Sequence, residues 1–128
     1  LDRAHTLLSP CHFGRFSVTT PADHDRVIAF TSQLAHVVSN AYVKTPTAQA
    51  HHGFSAGSYK DLTRVAHLNP DMWSVLMIQD ADTVADEIEI IINALDKYRV
   101  ALINRDRVGF ANFAEGDQIK RALDDMPR

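Results

Sequence analysis

The chain has 128 residues, of which 45% are hydrophobic and 23% charged, with a formal net charge of -3. That is length enough for one ordinary domain with its own core, without the basic excess that marks a nucleic-acid binder. With one cysteine, Cys11, an internal disulfide is impossible, and there is neither a long apolar run nor a basic leader followed by one. The expectation is a soluble, cytoplasmic chain with no nucleic-acid or membrane partner.

In chain order, the opening HFGRFSVT clusters aromatic and β-branched residues and predicts the one strand. Thr20-Pro21-Ala22-Asp23 then combines an N-cap, a proline at the first helical position and an acid three residues past the cap. No Gly or Pro follows until Thr45-Pro46, so one helix of about 23 residues is predicted. Its apolar members Val27, Phe30, Leu34, Val37 and Ala41 recur at three and four, the stripe of a helix facing a core. A short helical piece, TAQAHH, follows Pro46, and Gly53 and Gly57 then let the backbone bend or approach another group closely. Ser58 is placed to cap a helix reaching Leu68, which would put Lys60, Arg64 and His67 on one basic edge.

Asn69-Pro70-Asp71 starts a helix over residues 70–79. The longest element is expected from Asp82 to Asn104, where Val84, Ile88, Ile91, Leu95, Tyr98 and Leu102 form a heptad seam widened by Ile90 and Ile92. Such a helix should be buried between neighbours or in a subunit interface. Gly109 and Gly116 punctuate the remaining residues, with a last helix from Asp117 to Met126. The fold class is therefore all-α, a bundle of five or six helices, behind an N-terminal segment that stands apart.

Chemistry is harder to place. GxGxxG, GxxxxGK[ST], CxxC, HExxH and GxSxG are all absent, so dinucleotide binding, zinc hydrolysis and serine hydrolysis lack support in this chain. His51 and His52 are neighbours, and adjacent helical side chains diverge by about 100°, a poor chelating geometry. On the first helix Asp25, Ala29, Ser32 and His36 are spaced to share one stripe, which is either a solvated margin or part of a site. Arg64 could present its planar fork to a carboxylate or simply pair with Asp61 on the surface. Trp73 is either a core anchor or the wall of a pocket.

As a set, TPADHD, SQLAHVVSNA and GFSAGSYKDLTRVAHLNPDMW, in that order, resemble the C-terminal helical domain of the prephenate dehydrogenase family. The resemblance covers residues 13–105. It implies a bundle like the C-terminal domain of 6-phosphogluconate dehydrogenase, a homodimer, and a site for prephenate or arogenate. Oxidative decarboxylation in such enzymes uses NAD or NADP held by a separate Rossmann domain, which also carries the general-base histidine and the Gly-rich loop. The chain alone should then bind no cofactor or metal and be catalytically silent.

Carried over, Arg64 resembles the arginine that binds substrate carboxylate, His36 the second histidine of the family's Ser-His-Leu-Pro-His segment, and Ser32 its serine. Gly57 resembles a glycine whose backbone approaches the ligand, Trp73 the pocket wall, and Asp25 an acid that orders charged neighbours. Gln33 and Ala35 replace the segment's first histidine and its proline, which should make the first helix more regular. Ser58 and Tyr59 replace a Gly-Phe pair, leaving prephenate and arogenate both open, with tyrosine a candidate inhibitor. HFGRFSVTTP resembles the last strand of the nucleotide-binding domain, so residues 1–19 are expected to be its remnant and hinge and residues 20–128 the helical domain. The alternative is a non-enzymatic helical module that dimerises and senses tyrosine or a related aromatic acid.

Overall fold

A computed structural model describes residues 1–13, 16–51, 53–54 and 56–126. It divides into two units, Leu1–Asp80 and Ala81–Arg128. All regular structure among the described residues is helical.

In the first unit, α1 (Asp2–Leu8) runs into a 3₁₀ turn, Ser9–Cys11, which ends with His12 in the left-handed region. The expected strand is not found among its described residues: Phe16 to Thr20 belong to no ladder, and a strand exists only by pairing. Gly14 and Arg15 lie outside the described residues. The aromatic residues there pack locally instead, with the Phe16 ring 4.9 Å from His5 and 6.3 Å from Phe13.

The run from Pro21 to Val43 is helical throughout, as expected, but it is not regular. It comprises α2 (Pro21–Ile28), a π-helical segment (Ala29–Leu34) and α3 (Ala35–Val43). Thr20 starts it: its Oγ1 accepts from the Asp23 N–H at 3.1 Å and donates to the Asp23 carboxylate at 2.9 Å. The π segment overturns the expectation that Gln33 and Ala35 make this helix more regular. Ala29, Gln33 and Leu34 of that segment are all buried, so the wide turn lies on the packed side.

Thr45 caps α4 (Pro46–Ala50) through the Ala48 N–H. Gly53, at φ 85°, then turns the chain in a conformation that favours glycine. Next comes α5 (Gly57–Thr63), which begins one residue before Ser58 and follows Ala56, which contributes no side-chain cap. It also stops five residues short of Leu68, for a reason visible in α3. Ser39 Oγ donates to the Leu62 carbonyl at 2.8 Å and Asn40 Nδ2 to the Ala66 carbonyl at 3.0 Å. Had the helix continued, Leu62 O would have accepted the Ala66 N–H; that N–H goes instead to Thr63 O at 3.0 Å. The basic edge of Lys60, Arg64 and His67 is therefore not one helical face. Finally α6 (Pro70–Gln79) has the expected bounds, with Asn69 Oδ1 accepting from the N–H groups of Asp71 and Met72.

In the second unit, α7 (Ala81–Ile103) closes on Arg105 in the left-handed region at φ 51°. The Asp106 N–H bonds Ala101 O at 2.9 Å and the Arg105 N–H bonds Leu102 O at 3.1 Å, the paired bonds of a Schellman cap. The heptad seam is buried only in places. Val84 is buried, as is Ala101 next to the seam, but Leu95 is 59% and Leu102 63% exposed, and Ile90 and Ile92 are exposed beside them. The last helix, α8 (Ala111–Asp124), starts six residues before Asp117 and carries Gly116 inside it. Ring packing accounts for the early start: Phe113 stacks on Tyr98 at 4.8 Å and on Phe110 at 5.1 Å. Gly109 permits the approach, because a Cβ there would sit 2.9 Å from both the Ala101 Cβ and the Asp106 carboxylate.

Candidate functional site

In the first unit two of the expected groups meet, and a third stands on a turn tied to α3. The π segment and α3 bring His36, whose Nδ1 lies 2.8 Å from the Ser32 carbonyl. A carbonyl only accepts, so Nδ1 carries the proton and Nε2 is the nitrogen left to meet something else. α6 brings Trp73 in its first turn, fixed by the Asn69 cap and by its own N–H to Asn69 O at 3.0 Å. The two rings pack together, with centroids 4.1 Å apart and planes tilted by 35°. Both side chains are half-buried, so each ring keeps part of its surface open while covering part of the other.

The third piece is the turn after α5. Arg64 is the C-cap of that helix and is exposed. The surface pair with Asp61 is not formed, and among the described residues no acid lies within ion-pair distance of the guanidinium. Among the described residues its five donors meet no partner, while the backbone two residues to either side, at Leu62 and Ala66, is tied to α3. An anion presenting two oxygens would meet a charged fork on a fixed support.

The other expected residues are placed differently. Ser32 joins through its backbone carbonyl rather than its hydroxyl. Asp25 is exposed and pairs with His24, its Oδ1 3.1 Å from the His24 Nδ1. The shared stripe from Asp25 to His36 does not survive the π segment. One added residue in a turn rotates the rest of a helix by about 100°, so α2 and α3 do not continue one another's faces. Gly57 opens α5, and a Cβ added there would meet no described atom within 4 Å. Packing within the described chain does not demand a glycine at that position.

Sequence reading passed over two features. Ser39 and Asn40 interrupt the apolar run VVSNAYV, and that interruption was the available signal. A second group forms a cavity of about 560 Å³ whose lining includes Tyr42, Thr45, His51, Tyr59 and Leu62. The His51 and Tyr59 rings lie 4.3 Å apart there, and none of the six expected site residues lines it. His52, the other half of the adjacent histidine pair, lies outside the described residues. Gln33 is buried with its Oε1 lacking a hydrogen-bond partner among the described residues.

Residues 20–115 match the family model described as prephenate dehydrogenase, dimerization domain. Among curated proteins, cyclohexadienyl dehydrogenase of Zymomonas mobilis is 31% identical over 103 residues, covering 73% of this chain and 34% of that protein. Prephenate dehydrogenase of Bacillus subtilis is 29% identical over 100 residues, covering 71% of this chain and 26% of its own length. This chain therefore spans about a third or less of these two relatives. Among solved structures, Synechocystis arogenate dehydrogenase superposes with a TM-score of 0.77 at 18% identity, covering 95% of this chain and 46% of its own, a likeness of fold. Prephenate dehydrogenase from A. aeolicus, in complex with hydroxyphenyl propionate and NAD+, superposes with a TM-score of 0.67 at 25% identity, covering 85% and 40%.

Proposed function

This chain belongs to the prephenate dehydrogenase dimerization-domain family, and from that membership we propose that it is the subunit-pairing and substrate-holding part of a dehydrogenase acting on prephenate or arogenate. The His36–Trp73 pair carries the reading. A six-membered ring with a hydroxyl and a carboxylate would lie against the indole, with His36 Nε2 in reach of a polar substituent and the Arg64 fork on a carboxylate. Such charge-assisted bonds contribute about 1.5–3 kcal/mol. In this reading Ser32 keeps the His36 tautomer, Gly57 leaves room at the start of α5, and Asp25 orders the charge of His24.

The residues of this chain do not fit a dinucleotide, since its five glycines, at 14, 53, 57, 109 and 116, make no phosphate-binding loop. NAD or NADP would be held by another domain, to which residues 1–19 form the hinge, and the chemistry left to these residues is to bind and orient. The exposed apolar face of α7 is the surface for a second copy, giving a homodimer. A cytoplasmic setting is part of the same reading, supported by the single exposed cysteine, Cys11. Tyrosine shares the ring and the carboxylate, so it would compete at this site.

Steady-state kinetics of the intact dehydrogenase test the reading. Arg64→Ala should raise KM for prephenate by about 10- to 100-fold, the scale of a lost charge-assisted bond, with KM for the cofactor unchanged. An unchanged prephenate KM would overturn it.

A further inference from the structure

The geometry points to Ser39 and Asn40 as positioning residues for Arg64, acting by holding α5 to its short form. The inference rests on the reading that Arg64 meets the substrate carboxylate. The sequence KDLTRVAHL contains no helix breaker before Asn69, and by its own pattern α5 would run on to Leu68. Two conformations therefore compete for this segment. In the longer one, Leu62 O takes the Ala66 N–H and Arg64 sits inside a regular helix. In the observed one, Leu62 O and Ala66 O accept side-chain hydrogens from α3, and the Ala66 N–H closes a tighter turn on Thr63.

The donors are well placed to decide between them. Ser39 is fully buried, at 0% exposure, so its hydroxyl has the Leu62 carbonyl and no water to satisfy it. Asn40 reaches the second carbonyl from the next position. On α3 these residues stand three and four places after His36, one helical turn along the same side. The clamp thus ties the turn bearing Arg64 to the part of α3 that carries His36, and sets the carboxylate anchor relative to the imidazole. Neither residue touches the ligand in this scheme.

The test is a set of variants of the intact dehydrogenase assayed with prephenate: Asn40→Leu, which removes the amide donor at similar volume, Ser39→Ala, and each combined with Arg64→Ala. Asn40→Leu should raise prephenate KM about tenfold, the scale of one lost hydrogen bond, with kcat and cofactor KM within about twofold. In the Arg64→Ala background the same change should add nothing. An equal rise in KM with and without Arg64 would overturn the inference, because the residue would then act by another route. If Arg64→Ala raises KM while Asn40→Leu and Ser39→Ala do not, the clamp fails and the proposed function stands. If Arg64→Ala itself has no effect, the proposed function falls first and the clamp with it. Should Ser39→Ala fail to fold, half-buried Asn40 still decides the outcome.

Discussion

The two units are held by different kinds of contact. In Leu1–Asp80 the decisive contacts are side chain to backbone: Thr20, Thr45 and Asn69 at helix starts, and Ser39 and Asn40 on the carbonyls of Leu62 and Ala66. In Ala81–Arg128 they are shape contacts, a stack of Tyr98, Phe110 and Phe113 and the close approach of Gly109 to Ala101. Hydrogen bonds have direction and fix where a turn points; apolar packing depends on area and shape. The first unit is thus built to orient groups. The second leaves Ile90, Ile92, Leu95 and Leu102 exposed along α7, on more than one side of the helix.

Substitutions can break this contrast, and the largest effect should fall on association. Leu95→Asp on α7 should weaken self-association by about 100-fold or more, because an unpaired carboxylate in an apolar interface costs several kcal/mol. Sedimentation across a concentration series checks this, and a dimer of unchanged affinity would remove α7 from the interface. Gly109→Ala drives a Cβ to 2.9 Å from the Ala101 Cβ and should cost about 1–3 kcal/mol in denaturant unfolding. Asn69→Ala removes the acceptor for two N–H groups at the start of α6, with an expected loss of about 1 kcal/mol and a change in the fluorescence of Trp73 nearby. The smallest effect is a gain. Arg105→Gly relieves a left-handed residue in the cap of α7 and should stabilise by roughly 0.5–1 kcal/mol by thermal unfolding.

Helix starts were legible wherever a capping side chain preceded a proline, as at Thr20-Pro21, Thr45-Pro46 and Asn69-Pro70, because donor, acceptor and fixed φ lie within four residues. α7 was legible because its apolar period runs without interruption over its full length. The end of α5 was not, since the groups that stop it are Ser39 and Asn40, more than twenty residues earlier in the chain. Gly116 misled for the opposite reason: a glycine inside α8 is outweighed by the stacking of Phe113 on Tyr98. His36 and Trp73 were each singled out from the sequence as candidates. Their contact at 4.1 Å joins two helices and could not be counted along the chain. Asp25 was grouped with His36 on the assumption of a constant helical pitch, which the intervening turn does not keep.

That turn, Ala29–Leu34, makes the helix a counting device. Removing one residue from it would let the backbone relax to ordinary pitch, at little cost to the helix itself. Five residues at ordinary pitch turn the chain through about the same angle as six in the wider turn, so everything from Ala35 onward would keep its face. His36, with Ser39 and Asn40 behind it, would stay with Trp73 and the end of α5, as teeth on one wheel. The spacing between the Thr-Pro start and His36 therefore holds one spare residue, and it lies in the wide turn.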